Sequence, residues 1–132
     1  MLVLVVCLAA CQDSLPGAPT DLQSGLIIYE HANYQGASAH ITESIGNLDD
    51  FEGPCIAFDN SGGVSTAYDT WNECVSSVRL APGWRATLYR DTSYDGDTLD
   101  VTGDIANLQL SRGDCDHDGF NDCASSIRVF RN

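Results

Sequence analysis

Short runs of alternating apolar and polar residues cover most of the chain and predict strands rather than helices. Leu26–Glu30, Ala37–Thr42, Pro54–Phe58 and Val75–Leu80 form a first set. Arg85–Arg90, Thr98–Val101, Gln109–Ser111 and Ala124–Phe130 form a second. No segment carries a sustained helical period beyond a short turn near Ile45–Asp50. The stretch Glu52–Thr70, rich in Gly, Ser and Asp, reads as a loop. Ahead of the first strand, residues 1–10 form a short apolar run, and Gln12–Ser24, with Pro16, Gly17 and Pro19, reads as a tether.

The two sets of strands are copies of one unit. Tyr29-Glu30-His31-Ala32-Asn33-Tyr34-Gln35-Gly36 recurs as Tyr89-Arg90-Asp91-Thr92-Ser93-Tyr94-Asp95-Gly96. Ile45, Asn47 and Leu48 recur as Ile105, Asn107 and Leu108. Asn72-Glu73-Cys74-Val75-Ser76-Ser77 recurs as Asn121-Asp122-Cys123-Ala124-Ser125-Ser126, with Trp71 matching Phe120 in front and Val78-Arg79-Leu80 matching Ile127-Arg128-Val129 behind. The first copy is longer between Leu48 and Asn72, where the Gly- and Ser-rich stretch lies. Gly36 and Gly96 fall where a folded-over hairpin requires positive φ. The four tyrosines Tyr29, Tyr34, Tyr89 and Tyr94 are expected to pack on these hairpins.

The aromatic–x4–aromatic–x–Gly hairpin and the Asn/Asp–Asn/Asp–x–x–Ser/Thr–Ser run, each present twice in the same order, resemble the βγ-crystallin family and its calcium-binding bacterial branch. The resemblance covers residues 24–132. It implies an all-β fold: two Greek-key motifs, 24–81 and 84–132, forming one βγ-crystallin-type sandwich. Glu73 departs from the family pattern, which carries Asp or Asn there.

Calcium takes about six to eight oxygens at roughly 2.3–2.6 Å, and a turn of Asn, Asp, carbonyl and Ser oxygens supplies several. The resemblance implies that each site is completed by a backbone carbonyl from the hairpin of the other motif. One expected site groups Asn121, Asp122, Cys123 and Ser125 with the carbonyl of Glu30. The other groups Asn72, Glu73, Cys74 and Ser76 with the carbonyl of Arg90, whose guanidinium turns away. Ser77 and Ser126 are expected to start strands rather than bind metal; the alternative for the whole set is turn capping. A separate run, Asp114-Cys115-Asp116-His117-Asp118-Gly119, opens like an EF-hand loop but has Ser125 at its twelfth position. It is more similar to the Asp- and Cys-containing calcium loops of thrombospondin type-3 repeats, which makes Asp114, Asp116 and Asp118 a candidate extra calcium site.

Nineteen Asp and Glu stand against six Arg, for a net charge of −13. That balance disfavours nucleic acid and anionic membrane surfaces as partners. Residues 1–10 read as a secretory signal and Leu8-Ala9-Ala10-Cys11 as a lipobox, so that Cys11 carries lipid and residues 11–23 form the tether. The usual basic start of such a signal is missing, and a buried first strand is the alternative. The implied location is extracytoplasmic, in the cell envelope or secreted, with membrane contact only through the lipid. Cys55, Cys74, Cys115 and Cys123 then remain, an even number suited to disulfides in an exported domain. Repeat symmetry favours Cys55–Cys74 and Cys115–Cys123. Zinc is the alternative, although the spacings match no standard finger.

His31, His40 and His117 sit in no nucleophile motif, and the chain reads as a non-enzyme. The expected function is that of a calcium-stabilised structural or adhesive module. Two rivals stand beside it. Secreted metalloproteinase inhibitors resemble this arrangement of one crystallin-type domain with two disulfides, the Asp59–Thr70 stretch being the element to enter a cleft. A glycan- or surface-binding adhesin would use Trp71 or Trp84.

Overall fold

A computed structural model of the chain describes residues 22–112, 115 and 119–132. The expected signal segment, Cys11, most of the tether and the acidic trio Asp114, Asp116 and Asp118 lie outside the described residues. Among the described residues eight strands follow in order: β1 (Leu26–His31), β2 (Gln35–Ile41), β3 (Cys55–Asp59), β4 (Thr66–Thr70), β5 (Ser77–Leu80), β6 (Trp84–Asp91), β7 (Asp95–Val101) and β8 (Ser126–Arg131). They form sheets β2-β1-β5 and β7-β6-β8 and a separate hairpin, β3-β4. All pairings are antiparallel.

The inward positions of the two three-stranded sheets close on one core. Leu26, Ile28, Ile41 and Val78 come from the first sheet, and Ala86, Leu88, Val101, Ile127 and Val129 from the second. Leu48 and Leu108, which match in the repeat, are fully buried between them, as are Val75, Ala124 and Phe120. This is the alternation expected of antiparallel sheets with one face on the core.

The third strand of each key differs from expectation. Residues 109–111 form no strand; they belong to a 3₁₀ turn, Leu108–Leu110, and its end. Residues 55–59 are a strand, but one paired with β4 rather than with either main sheet. The crossing between motifs is made earlier, by single residues. Ile45 bridges Ile127 in the second sheet, and Ile105 bridges Val78 in the first. Each bridge exchanges both backbone hydrogen bonds, at 2.8 and 2.9 Å for Ile45 and 2.9 and 3.0 Å for Ile105. After each bridge Asn47 or Asn107 caps a 3₁₀ turn, its side chain accepting from the NH two residues on. The Asn-Leu pair ends the crossing because the turn drops the Leu into the core.

The stretch expected to be a loop is the β3-β4 hairpin. Cys55, Ala57, Tyr68 and Thr70 face the body of the domain, whereas Ile56, Phe58, Ala67 and Asp69 face outward. Its base is fastened by the Cys55–Cys74 disulfide, by Tyr68 Oη donating to Asp49 at 2.7 Å, and by the buried Thr70 hydroxyl donating to the Leu48 carbonyl at 2.9 Å. The hydrogen bond to the Asp49 carboxylate holds the Tyr68 phenol above its ordinary pKa.

A pseudo-symmetric candidate metal centre between the motifs

Both hairpins fold over in the same way. Asn33 and Tyr34 have φ of 60° and 61°, and Ser93 and Tyr94 of 60° and 63°. Gly36 and Gly96 follow at 79° and 77°, as their placement in the motif predicts. Left-handed backbone at two residues with side chains needs support, and the second serine of each run supplies it. Ser77 Oγ donates to the His31 carbonyl at 2.6 Å and accepts from Tyr34 N at 3.0 Å. Ser126 Oγ donates to the Asp91 carbonyl at 2.6 Å and accepts from Tyr94 N at 3.0 Å. Tyr29 and Tyr89 meet Tyr34 and Tyr94 edge-on at 5.7 Å, and Arg79 and Arg128 lie over Tyr34 and Tyr94 at 4.1 and 4.3 Å. The tyrosines are therefore structural, and Ser77 and Ser126 both start strands and clasp hairpins.

The two Asn/Asp runs lie against each other about a pseudo-twofold axis. Asp122 N donates to the Val75 carbonyl at 3.1 Å and Glu73 N to the Ala124 carbonyl at 3.0 Å. Ser76 N donates to the Tyr29 carbonyl at 2.9 Å and Ser125 N to the Tyr89 carbonyl at 2.8 Å. Glu73 and Asp122 share a φ of 51°, so the second residue of each run turns in the same left-handed way. Asp tolerates that conformation better than Glu does.

This packing regroups the expected ligands. Ser76 Oγ donates to Asp122 Oδ1, on the opposite run, at 3.1 Å, and Asn121 Nδ2 donates to Asp122 Oδ2 at 2.7 Å. Ser76 Oγ thus meets the carboxylate of the other run, beside Asn121. Antiparallel packing places the fifth position of the first run beside the second position of the other. The hairpin partner follows. Tyr29 pairs with Ser77 and Tyr89 with Ser126, so Glu30 flanks Ser76 and Arg90 flanks Ser125.

Glu30 and Arg90 are also the residues at which each hairpin ladder shifts register, between Tyr29 and His31 and between Tyr89 and Asp91. A residue at such a bulge is left out of the ladder, which suits a backbone carbonyl to an outside partner. Their side chains are engaged elsewhere. Glu30 accepts from Ala37 N at 3.1 Å, and Arg90 pairs with Asp91 at 3.2 Å and Asp97 at 3.5 Å.

The donor set has the character of a hard-cation site. Asn72 Oδ1 is buried and has no hydrogen-bond partner among the described residues, a costly state for an amide oxygen unless something binds it. Among the described residues no group of three His, Cys, Asp or Glu side chains converges. Amide, hydroxyl, carbonyl and single carboxylate oxygens are calcium chemistry rather than zinc chemistry. The zinc alternative is overturned for the cysteines, which are paired as Cys55–Cys74, with Cα atoms 6.0 Å apart, and Cys115–Cys123, with Cα atoms 5.9 Å apart. Each run therefore carries a disulfide at its third position. Trp71 is 3% exposed and packs in the core, so it offers no face to a glycan. Trp84 is half-buried, with Arg131 over its ring at 5.6 Å.

Two hairpin-led Greek keys packed as a sandwich about a pseudo-twofold define the βγ-crystallin class of domain. A βγ-crystallin domain from Flavobacterium johnsoniae is 30% identical, with 81% of this chain and 94% of that one covered and a TM-score of 0.56. One from Clostridium beijerinckii shares the fold at 20% identity, over 81% of this chain and 98% of that one, with a TM-score of 0.55. Among curated proteins, the epidermal differentiation-specific protein of Cynops pyrrhogaster is 27% identical over 104 residues, which is 79% of this chain and 23% of that protein. The chain thus spans about a quarter of that relative's length. The family described as Peptidase inhibitor family I36 matches residues 28–101. The chain belongs to the βγ-crystallin family and, through that match, to peptidase inhibitor family I36.

Proposed function

We propose that the domain binds two calcium ions at the paired runs, and that binding holds the two motifs together. The reading rests on the meeting of Ser76 and Asp122 across the motif boundary. One site would use Asn121, Asp122, Ser76 and the Glu30 carbonyl, and the other Asn72, Glu73, Ser125 and the Arg90 carbonyl, with the Cys74 and Cys123 carbonyls as further donors. Each ion would draw oxygens from both motifs, so binding would favour the folded sandwich over the unfolded chain. The Cys55–Cys74 disulfide and the reading of residues 1–11 as a signal and lipobox support an exported, envelope-anchored or secreted setting, in which the domain serves as a structural or adhesive module.

The test is calorimetric titration with calcium. Two sites are expected. Asp122→Ala and Ser76→Ala should abolish the same site, and Ser125→Ala the other. Loss of different sites by Asp122→Ala and Ser76→Ala would overturn the regrouping, and absence of binding heat together with an unchanged Tm would overturn the calcium reading.

A second reading, inhibition of a metalloproteinase, is favoured by the family match and by the projecting β3-β4 hairpin. Deleting residues 60–65 should then abolish inhibition while leaving the Tm of the sandwich near that of the parent.

A further inference from the structure

The outward face of the β3-β4 hairpin is apolar and acidic. Ile56 is 64% exposed, Phe58 63% and Val64, beyond the end of β3, 68%. Outward-facing Asp69 stands opposite Ile56 across the hairpin, and exposed Asp59, on the side of Cys55 and Ala57 by the strand alternation, ends β3 near the tip. Two hydrogen bonds from Ser61, to both carboxylate oxygens of Asp59, hold that carboxyl below its ordinary pKa and keep it ionised. Large exposed apolar side chains grouped on one element mark an interaction surface rather than random exposure. A cation cannot come from the hairpin's own neighbours in sequence, because every Arg lies at position 79 or later and the chain has no Lys.

The opposite character appears on the outer face of β7-β6-β8. Arg85 and Phe130 are direct cross-strand neighbours, and Arg128 stands opposite Thr87 on the same face. All three of Arg85, Arg128 and Phe130 are exposed, and the Arg85 guanidinium lies 5.9 Å from the Phe130 ring centre. Thr87 on the same face donates to Asp100 at 2.9 Å. One surface offers Phe58, Ile56 and the Asp69 carboxylate; the other offers Phe130, Arg85 and Arg128, whose guanidinium also lies over the Tyr94 ring.

We propose that the β3-β4 hairpin of one copy of this chain docks on the Arg85–Arg128–Phe130 face of a second copy. The two surfaces are different patches, so the contact is heterologous and leaves one hairpin and one sheet face free at the ends of each assembly. Copies join in open chains unless the rotation closes a ring. A net charge of −13 per copy repels at long range, but at physiological salt that repulsion is screened beyond about 8 Å. The local Asp–Arg and aromatic contacts then decide. The patches share no residue with the runs at Asn72 and Asn121, so this association stands independently of calcium binding.

The experiment is sedimentation velocity across a concentration series on three proteins: the parent, a hairpin variant (Phe58→Ser, Asp69→Lys) and a sheet-face variant (Arg85→Glu, Phe130→Ser). The substituted residues are exposed, and a melting curve checks that each variant folds. The parent should show a mass rising with concentration beyond that of a dimer, and each variant alone should stay monomeric. An equimolar mixture should form a one-to-one dimer and grow no further, since only one intact hairpin–face pair exists in it. A parent that stays monomeric throughout overturns the proposal and leaves the hairpin to a peptidase cleft. Association that survives in both variants overturns it as well, by placing the contact elsewhere.

Discussion

Single side chains at the motif boundary do different jobs under similar names. Adjacent serines illustrate it: Ser76 reaches Asp122 across the boundary, whereas Ser77 is locked into its own hairpin. Ser77→Ala would leave the Tyr34 NH and the His31 carbonyl without their buried partner. It should cost about 1–3 kcal/mol, read as a lowered Tm with the calcium stoichiometry unchanged. Glu73 sits in left-handed backbone that a residue with a Cβ adopts at a cost of roughly 1–2 kcal/mol. Asn is more at ease there. Glu73→Asn is therefore expected to raise the Tm by relieving about 1 kcal/mol of that strain and to strengthen calcium binding at the Asn72 site. A lower Tm in the variant would show that the Glu side chain contributes something the backbone argument misses.

At the level of elements, the insertion in the first motif is the main departure from internal symmetry. Its Gly62 and Gly63 lie at the tip, with φ of 71° and 78°, and allow the chain to reverse between β3 and β4. Composition alone reads such a stretch as a loop, because Gly, Ser and Asp dominate it. What composition hides is the alternation on either side, Cys55, Ala57, Tyr68 and Thr70 inward against Ile56, Phe58, Ala67 and Asp69 outward. The hairpin is not part of either main sheet, and a two-stranded ribbon alone is marginal. It therefore depends on the disulfide, on Tyr68 and on Thr70. Cys55→Ser paired with Cys74→Ser should lower stability by about 2–4 kcal/mol. Hydrogen exchange in β3 and β4 should quicken more than in β1 or β6. Equal quickening everywhere would mean that the hairpin and the sandwich open as one unit.

For the whole molecule, the question is how a strongly acidic chain keeps two motifs together. The core supplies one part, since Phe120, Leu48, Leu108 and Ile127 are fully buried between the sheets. The paired Ile45 and Ile105 bridges supply another, each stitching one motif into the sheet of the other. Calcium at both runs would add roughly 2.7 kcal/mol per site at a concentration 100 times Kd. In a domain of this size that corresponds to a Tm higher by about 10 °C or more in calcium than in EDTA. The gain should nearly vanish when Asp122→Ala and Ser125→Ala are combined, because the regrouping assigns those residues to different sites.

Repetition made the sequence readable. A strand hairpin with an aromatic pair and a Gly, a crossing Ile, a capped Leu and an Asn/Asp–Ser run are local features with local causes. The second copy shows which of them are not accidental. The fold class, the hairpin glycines, the structural tyrosines and the Cys55–Cys74 disulfide were therefore legible from residue order. Tertiary structure alone decided which oxygen meets which, because that depends on the antiparallel contact between two runs far apart in the chain. It set Ser76 beside Asp122, turned the crossing strands into single-residue bridges and left Ile56 and Phe58 facing outward. Spacing along one chain cannot specify those pairings; only the packing of the two motifs about their pseudo-twofold does.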